Sequence, residues 1–292
     1  TLTAFAPDSL RKGFKLADPQ AEGLLVVRSD KTGQVIRIAQ TRLKDEPRPL
    51  RLSYGGQVLR AKGSQLRPER QFTQVGVELI GVPEGSESRA LIEIVDLCMT
   101  ALGDAGVPDV TVDLTLPQVA RAAAQADPVL IQALNERNAA LAETATATAG
   151  EAVREVVSLI SAFGPWRGAV TLMDKVKGGK AWRELESVAE AVETRHPSVE
   201  VLVDPAELRG FDYHTGLSFV LYAKGVRGEL GRGGLYQAGE EQAAGFTLYM
   251  DSVLRAVPAQ TPPEKVSVAA DTDINEVARR RAAGEIVVVD LA

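Results

Sequence analysis

The sequence predicts an α/β fold with a helical block inserted into a sheet, and three observations predict it. Residues 71–81 alternate, with Val75, Val77 and Leu79 on one side and Gln74, Gly76 and Glu78 on the other, the period of two that belongs to a strand. Residues 86–102 and 181–195 instead repeat apolar side chains every three to four positions, as one face of a helix does. Between residues 118 and 148 alanine dominates and alternation vanishes, and strand-like segments return only after Val199.

Taken in order, Leu24 to Ile38 reads as a strand, a polar turn and a second apolar segment. Arg51 to Leu59 carries Tyr54, two glycines and Val58, which suits a strand approached closely by other groups. Ser86 to Leu102 places Leu91, Ile94, Val95, Cys98 and Leu102 on one stripe, with Gly103 just beyond. Val110 to Leu114 is a strand, after which Thr115 and Asp127 are each expected to cap a helix opened by Pro117 or Pro128. Two further stripes are Val153, Val157, Ile160 and Phe163, then Trp182, Leu185, Val188 and Val192. His196 follows as a solvated helix end. Strands are expected at 200–203, 217–222 and 245–250, with a last helix near Asp251. A proline-rich stretch at 258–263 separates a short strand-helix-strand remainder. The expected division is therefore residues 1–258, with the helical insertion at about 115–196, and residues 259–292.

Composition narrows the function. The 292 residues sum to a net charge of −6, which argues against a protein whose affinity comes from nucleic-acid phosphates. No apolar run approaches the roughly 20 residues that span a bilayer, so no membrane role is expected. A single cysteine, Cys98, rules out an intrachain disulfide and any multi-cysteine metal site, and only two histidines rule out a histidine-rich one. No metal and no cofactor are expected, and the cysteine usage fits a reducing cytoplasm. Cys98 itself lies on an apolar stripe and reads as core. Residues 42–70 hold eight basic and three acidic side chains, most simply a solvated loop.

Two glycine-bearing stretches suggest a site: Arg209-Gly-Phe-Asp-Tyr-His-Thr-Gly216 and Gly231-Arg-Gly-Gly-Leu-Tyr236. Neither is a phosphate loop, because no lysine and hydroxyl residue follow the glycines at the required spacing. The face carrying Gln74, Gly76 and Glu78 cannot pack on an apolar layer without partners for its polar atoms. Carboxylates at one end of a pocket and an arginine at the other suit a zwitterionic amino acid, whose ammonium needs acceptors and whose carboxylate fits a guanidinium.

These residues carry a family resemblance. Leu52 to Arg60 followed by Glu69 to Gly81 resembles motif 2 of a histidyl-tRNA synthetase, and the 209–216 and 231–236 stretches resemble its two histidine signatures. Arg28-Ser-Asp-Lys-Thr32 resembles the segment that meets the substrate amino group, and Gly245 to Asp251 sits where motif 3 belongs. The resemblance implies a class II aminoacyl-tRNA synthetase-like fold, a mostly antiparallel sheet with flanking helices. It implies a histidine pocket of Asp30, Thr32, Gln74, Glu78, Arg209 and Tyr213, with Arg60, His214, Gly233 and Gly234 as further ligand-binding candidates. Two departures bear on activity: Lys62 stands where motif 2 has a glutamate, and Ser252 follows Asp251 where motif 3 has its ATP-contacting arginine. The C-terminal remainder is also too short for the anticodon-binding domain.

A paralogue that keeps the pocket while losing ATP activation is similar to the regulatory subunits of ATP phosphoribosyltransferase, and Gly210 to Phe219 fits that group better than the enzyme. The implied protein has no catalytic residues. It serves histidine biosynthesis as the partner of a short catalytic subunit, binds L-histidine, and forms a homodimer within a hetero-oligomer. The alternatives are a histidyl-tRNA synthetase and a free-standing histidine-binding paralogue.

Overall fold

Alternation along the strands creates two chemically different sheet faces, and each recruits its own cover. The computed structural model of the chain describes residues 12–20, 23–63, 68–145, 150–173, 176–211, 213–259 and 264–290. Parts of the basic loop (64–67) and of the proline-rich stretch (260–263), together with Asp212 of the first glycine-bearing signature, lie outside the described residues. The chain divides into two units, residues 1–257 and 258–292.

In the first unit a short hairpin of β1 (Lys15–Ala17) and β2 (Leu24–Val26) precedes helix α1 (Thr32–Thr41). Strands β3 (Leu50–Leu59) and β4 (Gln71–Ile80) lead to α2 (Glu87–Asp104) and β5 (Val110–Thr115). Then come α3 (Pro117–Ala124), α4 (Pro128–Glu136), α5 (Ala139–Ala142), α6 (Gly150–Ser161), β6 (Gly164–Pro165), α7 (Trp166–Met173) and α8 (Gly179–Arg195). Strands β7 (Glu200–Val203), β8 (His214–Ala223), β9 (Gly231–Ala238) and β10 (Glu241–Tyr249) and helix α9 (Met250–Ala256) complete it. The eight-stranded sheet runs β3-β4-β10-β9-β8-β5-β7-β6, and every pairing is antiparallel except β5 with β7.

One face is apolar. Val77 and Leu79 of β4, Phe246 and Leu248 of β10, Phe219 and Leu221 of β8, and Val112 and Leu114 of β5 form a continuous core with Leu91, Ile94, Val95, Cys98 and Leu102 of α2. Cys98 is fully buried there, and the apolar surroundings push its thiol upward, as a core cysteine requires.

The helical stretch is shared between two cores. Helices α3 to α6 build their own, from Ala120, Ala123, Leu130, Leu134, Val156 and Leu159. Trp166, Met173, Leu185, Val188 and Val192 of α7 and α8 instead join the sheet core. Three local expectations are corrected. The buried stripe of α6 is Ala152, Val156 and Leu159, one position away from the expected set, and Phe163 is 59% exposed. Asp127 caps α4 by accepting from the Val129 and Leu130 amides, but Leu116 occupies the N-cap of α3, and the Thr115 hydroxyl is drawn across to the Glu207 carbonyl. His196 is half-buried and not a free helix end: its Nε2 lies 3.0 Å from Asp96 Oδ1, joining the end of α8 to α2.

The second unit pairs β11 (Lys265–Val268) with β12 (Ile286–Val289) in parallel, with α10 (Ile274–Ala282) between them in sequence. Val277 of α10 and Val287 of β12 form its buried centre.

Candidate functional site

The polar face follows from strand register. Residues paired directly across antiparallel strands share a face, so Glu78 lies in one row with Leu52, Gly245, Gly234 and Ser218. The next row holds Tyr54, Gly76, Thr247 and Arg232, and a third holds Gly56, Gln74 and Tyr249. Helix α1 lies over this face. Its Val35, Ile36 and Ala39 pack with Tyr54, Ile80 and Tyr236, and its first residue, Thr32, is thereby delivered to Glu78.

Glycines make the room. A β-carbon on Gly245 would strike the Glu78 carboxylate, and one on Gly76 would strike the Tyr54 ring and the Phe246 carbonyl. The Glu78 carboxyl group therefore lies over bare backbone, and the hydroxyl end of Tyr54 lies over its own cross-strand neighbour, Gly76. Gly233 and Gly234 divide their roles. A side chain on Gly233 would hit Phe219 in the apolar core, whereas Gly234, with φ +149°, faces Ser218 on the polar face.

Asp30, Thr32, Gln74 and Glu78 converge. Thr32 Oγ1 donates to Glu78 Oε1 and Tyr236 Oη donates to Glu78 Oε2, each at 2.8 Å. Gln74 Nε2 donates to Asp30 Oδ2 at 2.9 Å, while Gln74 Oε1 accepts from the Lys31 amide at 3.2 Å. The remaining Asp30 oxygen accepts the Thr32 amide at 2.8 Å. Tyr54 Oη lies 2.6 Å from Thr247 Oγ1. Gln74 is 0% and Glu78 2% exposed, and burial raises the Glu78 carboxyl to about 8 against the lowering effect of the Tyr236 and Thr32 hydroxyls. The same burial, reinforced by Glu78, raises the Tyr54 and Tyr236 phenols.

Arg209 is not part of this group. Its guanidinium turns to Glu207, with Nη2 3.1 Å from Oε2, and stays 69% exposed. The guanidinium carried by the polar face is that of Arg232, opposite Thr247. It pairs with Glu229, donates through Nη1 to the Gly210 carbonyl at 2.9 Å and lies over the Phe211 ring. Gln118 and Arg121 of α3 donate to the His214 and Phe211 carbonyls, so α3 holds two carbonyls of this stretch while Arg232 holds that of Gly210. Tyr213 is 55% exposed, its ring 4.1 Å from that of His214. His214 sits opposite Tyr236, buried, and desolvation aided by Arg232 and Arg121 lowers it to about 3, so it is neutral. Arg60 stacks over Phe72, which meets Tyr249 edge-on.

Tyr54, Arg232, Tyr236 and Thr247 were not singled out from sequence as ligand residues. Alternation along β3, β9 and β10 carries the signal, because each shares a period-two face with a glycine of its own strand that leaves space. As a whole the cluster offers buried oxygen acceptors, suited to a ligand bearing N–H donors. Among the described residues no group of histidine, cysteine and carboxylate side chains could hold a metal ion.

The positions that handle ATP in the synthetase pattern are differently built. Lys62 is exposed. Ser252 is buried at the start of α9, where Arg255 Nη2 donates to its hydroxyl at 3.1 Å.

The histidyl-tRNA synthetase family profile matches residues 1–253. An ATP phosphoribosyltransferase regulatory subunit of Rhodospirillum centenum is 44% identical over 94% of this chain and 73% of its own length. The one of Paramagnetospirillum magneticum is 44% identical over 95% and 75%. Among solved structures, an ATP phosphoribosyltransferase regulatory subunit/histidyl-tRNA synthetase from Bacillus halodurans superposes with a TM-score of 0.79 at 26% identity, covering 100% of this chain and 81% of the other. A histidyl-tRNA synthetase from Nostoc shares the fold, with a TM-score of 0.71 at 17% identity over 96% of this chain and 73% of the other.

Proposed function

We infer function from this premise: the chain belongs to the histidyl-tRNA synthetase family and, within it, to the ATP phosphoribosyltransferase regulatory subunits. It is a regulatory subunit acting in histidine biosynthesis, and the observation that carries this is 44% identity to such subunits over 94% of the chain. Its partner is the catalytic subunit of that transferase. The class II synthetase-like sheet supports the same assignment. Among the described residues no helix is long and apolar enough to cross a membrane.

The finer reading is that the subunit is non-catalytic, binds L-histidine in the old substrate site, and works as a homodimer within a hetero-oligomer. An exposed Lys62 and a buried Ser252 support loss of adenylation, since neither supplies the carboxylate or the guanidinium of the synthetase pattern. The acceptor set of Asp30, Thr32, Gln74 and Glu78 supports an ammonium-bearing ligand, with Glu78 ionising as the cation arrives. Ligand binding biases the complex only by its differential affinity for two quaternary states.

The test joins two measurements. The chain should co-purify with the short catalytic subunit and raise its transferase activity, in a manner that responds to histidine. Histidine-dependent exchange of pyrophosphate into ATP by the chain alone should stay at background. Clear exchange would return the chain to the synthetases, and a transferase indifferent to its presence would remove the regulatory assignment.

A further inference from the structure

Most buried or half-buried guanidinium groups in this fold answer a carboxylate: Arg48 pairs with Glu241, Arg137 with Asp204 and Glu207, and Arg232 with Glu229. The segment that leads into α1 is arranged differently, with Arg28 exposed and Lys31 half-buried. Neither Arg28 nor Lys31 is ion-paired with a carboxylate of the described residues. Both lean over the same bare α-carbon. A β-carbon on Gly56, whose φ is +147°, would lie 2.9 Å from Lys31 Nζ and 3.5 Å from Arg28 Nη2. Arg28 is anchored there by its Nε, which donates to the Gln57 carbonyl at 2.7 Å, and Lys31 by its backbone amide on Gln74. A third cation reaches the same loop, Arg60 Nε donating to the Ser29 carbonyl at 3.4 Å.

Cations held this close without a counter-charge repel one another, and the Lys31 ammonium is lowered, first by burial and then by Arg28. Beside Arg28 lies an open groove of about 470 Å³, half apolar, in which the side-chain amides of Gln34, Gln57 and Gln71 can donate to the same kind of ligand. We propose that Arg28 and Lys31 form a binding site for an oxyanion, a phosphate group or a carboxylate, at the Gly56 end of the polar face. The anion replaces like-charge repulsion with charge-assisted hydrogen bonds, and Gly56 keeps the floor of the site free of side chain. This assignment does not depend on histidine binding, because the anion alone is enough to reveal it.

The full chain is titrated calorimetrically with inorganic pyrophosphate at low ionic strength, where exposed charges are least screened. Saturable binding is expected, weakened tenfold or more by Lys31→Gln and by Arg28→Gln, largely retained by Lys31→Arg, and unchanged by Lys44→Gln, an exposed lysine elsewhere. A parallel titration with L-histidine and with histidinol, which lacks the carboxylate, identifies the source. A loss in Lys31→Gln for histidine but not histidinol assigns the site to a ligand carboxylate, and a loss for pyrophosphate alone assigns it to a phosphate. The proposal is overturned if neither pyrophosphate nor histidine affinity responds to Lys31→Gln, or if Lys44→Gln weakens pyrophosphate as much.

Discussion

The two faces of β4 are built from neighbouring residues and obey opposite rules. On one, Val77 and Leu79 meet α2 through apolar contact, and what matters is volume. On the other, Gln74 and Glu78 are as deeply buried, yet every polar atom must be answered by a named partner, and what matters is geometry. Burial alone therefore says little about what a position does. Depth is shared by both faces, while tolerance to substitution should differ sharply between them.

Truncation on the apolar face should produce the largest loss. Phe219→Ala removes a fully buried ring from the sheet core and should cost about 3–5 kcal/mol of unfolding free energy in urea denaturation; a loss below about 1 kcal/mol would mean that the core collapses around the gap. The polar face should instead reveal itself through pH. The Glu78 carboxyl is raised to about 8 in the folded chain, whereas an unfolded glutamate ionises near 4.3. Between those values the unfolded state holds fewer protons, so this group's contribution to stability should fall as pH rises, by up to about 1.4 kcal/mol per pH unit. Asp113, raised to about 7 mainly by burial, acts in the same direction, so the informative quantity is the difference between the wild type and Glu78→Gln. Stability curves that run parallel from pH 5 to 8 would show that Glu78 is ionised throughout.

A smaller and more selective effect is expected where the faces depend on glycine. Gly245→Ala places a methyl group against the Glu78 carboxylate and should cost roughly 1–3 kcal/mol as overpacking, while weakening histidine binding in calorimetry. Glu78→Ala should relieve the crowding and still lose about 1.5–3 kcal/mol of ligand affinity, a tenfold to hundredfold change. Retained affinity in both variants would separate the ligand from this cluster. The exposed pair of Arg51 and Glu93 on the outer edge sets the lower limit: Arg51→Ala should change stability by less than about 1 kcal/mol.

Much of this was legible in the residues. The alternation at 71–81 placed Gln74 and Glu78 on one face, and the stripe of Leu91, Ile94, Val95, Cys98 and Leu102 located the helix that covers the other. The stripe in α6 reads one position off because its apolar residues come in adjacent pairs (Ala152 and Val153, Val156 and Val157, Leu159 and Ile160) across one broad face, and the neighbouring helices decide which member of each pair is buried deepest. The motif points Arg209 to the pocket, whereas the carboxylate of Glu207, two residues earlier, competes for it locally and holds it. Arg232 went unassigned because its importance depends on which strand lies opposite it, a property of register that no single segment contains.

The contrast between the faces also bears on how the chain finds its pairing. A slip of β10 by one residue against β4 would set Phe246 or Ala244 opposite Glu78 in place of Gly245, and would turn the apolar residues of β10 toward the polar side. The carboxylate would then press against a side chain instead of bare backbone, while Thr247 and Tyr249 faced α2. A one-residue misalignment of these two strands thus loses apolar burial on one side and collides on the other. The bare backbone beneath Glu78 makes the same register that builds the pocket the one the strands prefer, with no ligand needed to select it.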